Sequence, residues 1–278
     1  MNWKKDKLRP TQPYFVFDTD DFYQEVYLQQ GISHFYSYHV EEPRDVRVVP
    51  DGCIDLFFEY NGEEMRGYAC GTPIAYKVEK RPEFHDVFGV RFMPGVQPAL
   101  IRATMRELFD KRVCLESILI GDADWLGELT KEKDFYQRIR VFLEAYTKAE
   151  KKTEKPYGKK ELVQSVKQMV YESDGKIKVS ELKEKTGYTE RYINKIFLEE
   201  MGFSPKIFCK IIQFQRALEY LNYGAPGKMT DAAVDFGYYD QSQFIRDFTK
   251  YAGMTPKKYL DLVKENKYSS RVKGNNNT

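Results

Sequence analysis

The feature that most constrains this chain is an internal repeat in its C-terminal third. Gly187-Tyr188 recurs as Gly237-Tyr238, Ile193-x-Lys195-x-Phe197 as Phe244-x-Arg246-x-Phe248, and Gly202-x-Ser204-Pro205 as Gly253-x-Thr255-Pro256. The offset is 50 residues at the first pair and 51 at the other two, so one residue has been gained between turn and helix. Such spacing implies two tandem copies of one supersecondary unit.

Each copy reads as helix, tight turn, helix. In the first, Val179–Thr186 is a short helix that Gly187 ends in the left-handed conformation. Thr189 caps the next helix, which runs to about Met201. Ile193, Ile196, Phe197 and Met201, spaced at 3 and 4, form its buried face and leave Glu190, Arg191, Asn194, Lys195 and Leu198 outward. In the second copy, Met229–Phe236 leads to Gly237 and Asp240 is the cap. Phe244, Phe248 and Tyr251 face inward there, while Gln241, Ser242, Gln243, Arg246 and Lys250 face outward. A helix-turn-helix lays its second helix in the DNA major groove, where Asn, Gln, Arg and Lys hydrogen-bond base edges. For Arg246, an intramolecular pair with Asp247 or Asp240 is the competing reading.

Ser204-Pro205 and Thr255-Pro256 each set a hydroxyl cap before a proline at the first helical position. The helices they start offer free backbone N–H groups and a positive dipole end to a phosphate, with Lys206, Lys257 and Lys258 adding charge nearby. Either start alone is an ordinary helix beginning. Their recurrence at equivalent repeat positions brings the phosphate contact level with that reading.

The charge distribution agrees. The net charge of +2 divides into +8 for residues 151–278, which hold 24 Lys and Arg against 16 Asp and Glu, and −6 for residues 1–150. A basic half joined to an acidic half points to a polyanion as partner of the second half only.

Upstream, aromatic and β-branched runs recur at Ile32–Val40, Val46–Val49, Cys53–Tyr60, Met65–Cys70, Ala75–Val78 and Val87–Met93. Asn61-Gly62 and Pro50-Asp51-Gly52 punctuate them as turns, so a small barrel or sandwich is expected over 1–94. After Pro94-Gly95 the pattern turns helical at Gln97–Phe109, Asp124–Leu129 and Phe135–Ala149, giving a helical connector or dimerisation segment over 95–150. A charged, proline-containing linker follows at 151–160, then an all-helical domain at 161–262 and a polar tail at 263–278 expected to be disordered. The fold class is therefore α+β.

The run Gly237-Tyr238-Tyr239-Asp240-Gln241-Ser242-Gln243-Phe244-Ile245-Arg246-Asp247-Phe248, followed by Gly253-x-Thr255-Pro256-x-x-Tyr259, closely resembles the signature of the AraC/XylS family of transcription regulators. The resemblance covers roughly Leu162–Leu260. It implies a seven-helix domain in which a long helix, here about Lys206–Leu221, holds two helix-turn-helix units so that both recognition helices enter successive major grooves. On the family pattern Arg191, Asn194 and Lys195 are base or phosphate contacts of the first unit, and Gln241, Ser242, Gln243 and Arg246 their second-unit equivalents; Thr189 and Lys250 are expected DNA-binding residues beside them. The sequence departs at Lys183, where the family usually has a small residue, as Ala233 is in the second unit. A lysine stem can lie along apolar surface there while its charge reaches water. Strands followed by helices are also similar to the cupin-like sensory halves of this family. The stretch Val49–Phe58 with Gly89–Gly95 looks like an N-terminal module of unassigned role in some AraC-type regulators.

These readings predict a sequence-specific DNA-binding transcription regulator whose N-terminal half senses a small molecule or dimerises. Double-stranded DNA is the expected partner, with a small-molecule effector, RNA polymerase if the protein activates, and a second copy as further candidates. The alternative is a DNA-repair or methyl-transfer protein using the same DNA-binding unit. Such a protein needs a reactive low-pKa cysteine, and none of Cys53, Cys70, Cys114 and Cys209 has a neighbouring histidine or a Pro-Cys-His context. No nucleophile-plus-base arrangement or phosphate-cradling loop is evident, so no enzyme activity is expected. No cofactor is expected, and no metal: His34 and His39 differ by five and point to opposite faces of a strand. Asp51 reads as a turn residue, and Arg91 as a structural ion pair rather than an effector anchor. The scattered cysteines, and an N-terminus without a signal-like apolar run, fit a cytoplasmic location away from membranes.

Overall fold

The computed structural model describes residues 8–42, 45–62, 64–79, 84–152, 158–224, 233 and 235–274. The chain opens with a short helix, α1 (Pro13–Phe17), followed by β1 (Asp21–Val26), β2 (Ile32–His39), β3 (Val46–Val48), β4 (Ile54–Asn61), β5 (Glu64–Gly71), β6 (Lys77–Glu79) and β7 (Asp86–Phe92). Next come α2 (Met105–Leu108), β8 (Arg112–Cys114), a 3-10 turn (Leu115–Ser117), α3 (Asp124–Lys131) and α4 (Phe135–Glu150). The helical region holds α5 (Lys159–Glu172), α6 (Val179–Thr186), α7 (Glu190–Met201), α8 (Pro205–Tyr223), α9 (Gln241–Ala252), α10 (Pro256–Glu265) and α11 (Tyr268–Arg271), and β9 (Val272–Lys273) follows. The α+β architecture is thus a sheet-rich N-terminal region and a helical C-terminal region.

Seven strands form one sheet in the order β8-β5-β4-β7-β2-β1-β9, and β3 and β6 form a separate ribbon. The hairpin signal at Asn61-Gly62 falls at the β4–β5 reversal, where Asn61 pairs with Glu64. Strands β2, β4 and β7 are buried on both faces: every residue of β4 except Asn61 is buried. Helical elements cover one face of the sheet and α1 with the second helix-turn-helix covers part of the other, which is why these strands read as near-continuous apolar runs.

Three expectations are corrected. Gln97–Phe109 is helical only at Met105–Leu108. Pro98 disfavours helix at Gln97, Ile101 bridges Leu119, and Thr104 starts the helix late by capping Glu107 N–H in a capping box. The barrel or sandwich expected over 1–94 is preceded by a helix, because all five residues of α1 are buried against elements from both regions. The tail is structured at its start: Tyr268 and Val272 are buried, and β9 pairs in parallel with β1. The expected helix Met229–Phe236 and the linker centre at 153–157 lie largely outside the described residues.

Two apolar cores each draw on both regions. One joins Ile54, Leu56, Phe58 and Phe88 of the sheet to Trp125 and Phe142 of the connector and to Val166, Ile193, Phe197 and Phe208. The other joins α1, Phe22 and Phe57 to Phe214, Leu218, Phe244, Phe248 and Tyr259. Helix α8 serves both, with Phe208 and Ile212 in the first and Phe214 and Leu218 in the second. A helix 19 residues long reaches about 28 Å, enough to span two neighbouring cores.

Candidate nucleic-acid interface

Both repeat units form the elements their sequences specify. Helix α6 ends at Gly187, whose φ of 74° ends the helix in the left-handed region, and Thr189 Oγ1 accepts from Tyr192 N–H at 3.3 Å to start α7. Ile193, Ile196, Phe197 and Met201 are buried. In the second unit Gly237 has φ 78°, and Asp240 Oδ1 accepts from Gln243 N–H at 2.7 Å to start α9. Phe244, Phe248 and Tyr251 are buried. Ser204 Oγ accepts from Ile207 N–H and Thr255 Oγ1 from Lys258 N–H, so the two hydroxyl-proline helix starts are caps as read.

The outward faces are solvent-exposed at Thr189, Arg191 and Lys195 on or beside α7, and at Gln241, Ser242, Arg246 and Lys250 on α9. Asn194 and Gln243 are half-buried: Asn194 Nδ2 donates to Glu190 O at 2.8 Å, and Gln243 Oε1 accepts from Tyr239 N–H at 3.0 Å. Lys206, Lys257 and Lys258 are exposed at the starts of α8 and α10. Lys195 sits 3.9 Å from Glu199, which also pairs with Lys159. Arg246 has no ion pair among the described residues: Asp247 pairs with Lys210 of α8, and Asp240 is committed to its cap. The competing pair of Arg246 with Asp247 or Asp240 is not among the ion pairs of the described residues.

Lys183 is exposed rather than laid against the core, and Leu182 beside it is fully buried. Ala233 of the second unit is buried. Tyrosines not singled out by sequence add to the face. Tyr188 stacks on Tyr192 with ring centroids 5.2 Å apart, and Tyr239 is 92% exposed at the start of α9. The i, i+4 spacing of Tyr188 and Tyr192 is the signal that reveals the pair.

The N-terminal candidates form a different kind of site. Arg91 is buried and binds Asp55 bidentately, with Asp51 3.7 Å away; Asp55 also accepts from Tyr36 Oη at 3.0 Å. Asp51 is a network member as well as a turn residue, accepting from Cys53 N–H and Gln12 Nε2. Burial raises its carboxyl pKa against the pull of Arg91. His34 is buried, and desolvation beside Arg91 pushes its pKa well down, keeping it neutral. No cluster of three metal-ligating side chains occurs among the described residues. Burial pushes the Cys53 thiol well up and Cys209 to about 12, the opposite of an activated thiolate.

A family model described as a helix-turn-helix domain matches residues 182–261. These residues are an AraC-type helix-turn-helix domain. A second model, described as a domain of unknown function, matches residues 25–114. Curated proteins similar to this chain include uncharacterized HTH-type transcriptional regulators of Staphylococcus aureus strains MSSA476 and N315. Each is 29% identical over 98 residues, or 34% of this chain. The chain spans only 13% of those relatives' length. Among solved structures, a probable AraC family transcriptional regulator from Rhodopseudomonas palustris is 30% identical, covering 37% of this chain and 97% of its own, with TM-score 0.34. An apo ToxT variant from Vibrio cholerae is 12% identical over 84% of this chain and 98% of its own, with TM-score 0.47. No helix among the described residues is long and apolar enough to cross a membrane.

Proposed function

We propose that this chain regulates transcription by binding specific double-stranded DNA through both units of its AraC-type domain. The observation that carries the reading is the paired construction: two capped recognition helices with exposed polar faces, followed in each repeat by a capped helix start bearing exposed lysines. In this reading Arg191, Asn194, Lys195, Gln241, Ser242, Gln243 and Arg246 face base edges, with Thr189 and Lys250 at the margins. Lys206, Lys257 and Lys258 hold phosphates. The sheet-rich region senses a small molecule or mediates dimerisation. RNA polymerase is a partner if the protein activates, and the cytoplasm is its place of work.

The methyl-transfer alternative needs a low-pKa thiolate; burial raises the thiols of Cys53 and Cys209, and neither Cys70 nor Cys114 has a neighbouring histidine in sequence. Selection of bound duplexes from a random pool with the full chain, followed by footprinting, tests the proposal. The expected result is one enriched site with two protected base clusters about 10 base pairs apart on one face. Protection of a single groove segment would show that only one unit reads bases, and recovery of no enriched sequence would refute specific binding.

A further inference from the structure

Between the connector and the helical region lies a cavity of about 480 Å³. Ligand pockets commonly occupy about 300–1,000 Å³ and are mostly apolar with a few placed polar groups. Its apolar wall comes from Val96, Ala99, Ile101 and Met105 on the connector side and from Val163 of α5 and Met201 of α7 on the other. The cavity therefore touches the last residue of the first recognition helix.

The polar lining is dominated by cations: Arg102, Lys160 and Lys167 against the single carboxylate of Glu200. Arg102 and Lys160 are exposed, and Arg102 is already bonded to Ser117 O at 2.6 Å. Lys167 is different. It is 3% exposed, and its Nζ donates to Gly95 O at 2.7 Å. An ammonium has three N–H donors, and no carboxylate lies within ion-pairing distance of this one among the described residues. A buried cation without a counter-ion is costly. Desolvation alone lowers its pKa to about 8, so it stays mostly charged at neutral pH.

We propose that this cavity binds a small organic monoanion with an apolar body, its carboxylate seated on the Lys167 ammonium. One deep charge calls for one negative charge, and the apolar wall takes the rest of the molecule. The site lies outside the sheet, between the connector and α5, and it rests on the proposed sensing role in that it names where an effector sits.

Calorimetric titration of the full chain with octanoate and 3-phenylpropanoate, each beside its matched alcohol and amine, tests it. At least one acid is expected to bind at a single site, with its alcohol and amine weaker by about tenfold or more. Its affinity should fall as pH rises above about 8. Lys167→Met should abolish the preference for the acid, and Lys167→Arg should retain part of it. Because Arg102, Lys160 and Glu200 also line the cavity, Lys167→Met isolates the lysine's share. Ala99→Phe, which adds bulk to the cavity lining while leaving the lysine in the sequence, should block binding and serves if Lys167→Met does not fold. Absence of acid binding, equal binding of acid and alcohol, or an acid preference that survives both Lys167→Met and Ala99→Phe would overturn the site. DNA affinity measured with and without a bound acid judges the sensing role separately: unchanged affinity removes that role and leaves the site.

Discussion

The two helix-turn-helix units carry the same signature, yet their turns are built differently. Tyr188 of the first unit is 48% exposed and stacks on Tyr192, whereas Tyr238 of the second is 5% exposed and packs on Phe244 at 5.1 Å. The residue gained between turn and helix accounts for this. In the first unit Thr189 caps α7 directly after Gly187-Tyr188; in the second, Tyr239 intervenes before Asp240. The longer turn lets Tyr238 point into the core and leaves Tyr239 outside. Both α7 and α9 are held at their far ends by the N-terminal half: Phe203 packs on Phe109 of the connector, while Ala252 O accepts from Tyr14 Oη and Lys250 O from Tyr76 N–H. Among the described residues, only the second is also braced at its turn. One motif can thus be anchored at one end or at both, and a single inserted residue decides which.

The largest expected effect of this contrast is on stability. Tyr238→Ala empties a buried aromatic site and should cost about 3–5 kcal/mol, whereas Tyr188→Ala should cost less than about 1 kcal/mol. Urea unfolding of both variants measures this, and similar costs would break the contrast.

A second difference is electrostatic, since the first unit rests beside buried Lys167. Its folded pKa, about 8, lies below the unfolded value near 10.5. Between those values the unfolded chain binds more protons, so stability should rise with pH, and the penalty is full below about pH 8. The wild type should gain on the order of 3 kcal/mol relative to Lys167→Met across that window. Parallel stability curves for the two proteins would show that the lysine is not desolvated.

On DNA the contrast sharpens at equivalent residues. Arg246, free of ion pairs among the described residues, should cost about 1–3 kcal/mol when changed to Ala and relax preference at one base position. Lys195, already near Glu199, should cost less. Binding to matched and single-mismatch duplexes checks both, and a uniform loss for Arg246→Ala would remove it from the base-reading set. The smallest effect is expected at Lys258: its loss should weaken all sequences alike and reduce the log–log salt slope by about one unit. An unchanged slope would place Lys258 away from phosphate.

What the sequence disclosed was local. Helices α6 and α7, their glycine turn and the caps at Thr189, Ser204, Asp240 and Thr255 follow from rules spanning four or five residues, and they were legible. The features that were missed depend on distant partners. Helix α1 exists because Tyr14 and Phe17 meet Tyr76, Tyr259 and Tyr268. Arg91 could be read as an ion-paired residue, but not that Asp55 on the neighbouring strand supplies the pair, because strand register is set by the whole sheet. At Lys183, where the sequence departs from the family pattern, the side chain is exposed while the neighbouring Leu182 is fully buried, an arrangement the pattern alone does not disclose.

Strand β9 carries a further consequence. It lies against Phe22 and Tyr23, on the side of β1 away from β2. An open strand there would present unpaired N–H and C=O groups, the usual template for self-association. Val272 and Lys273 therefore act as a gasket, with Lys273 also bound to Asp21 and Arg271 to Thr19 O. A chain shortened by what looks like a dispensable polar tail would lose this cover, and a label fused just after residue 274 would emerge beside β1 of the sheet.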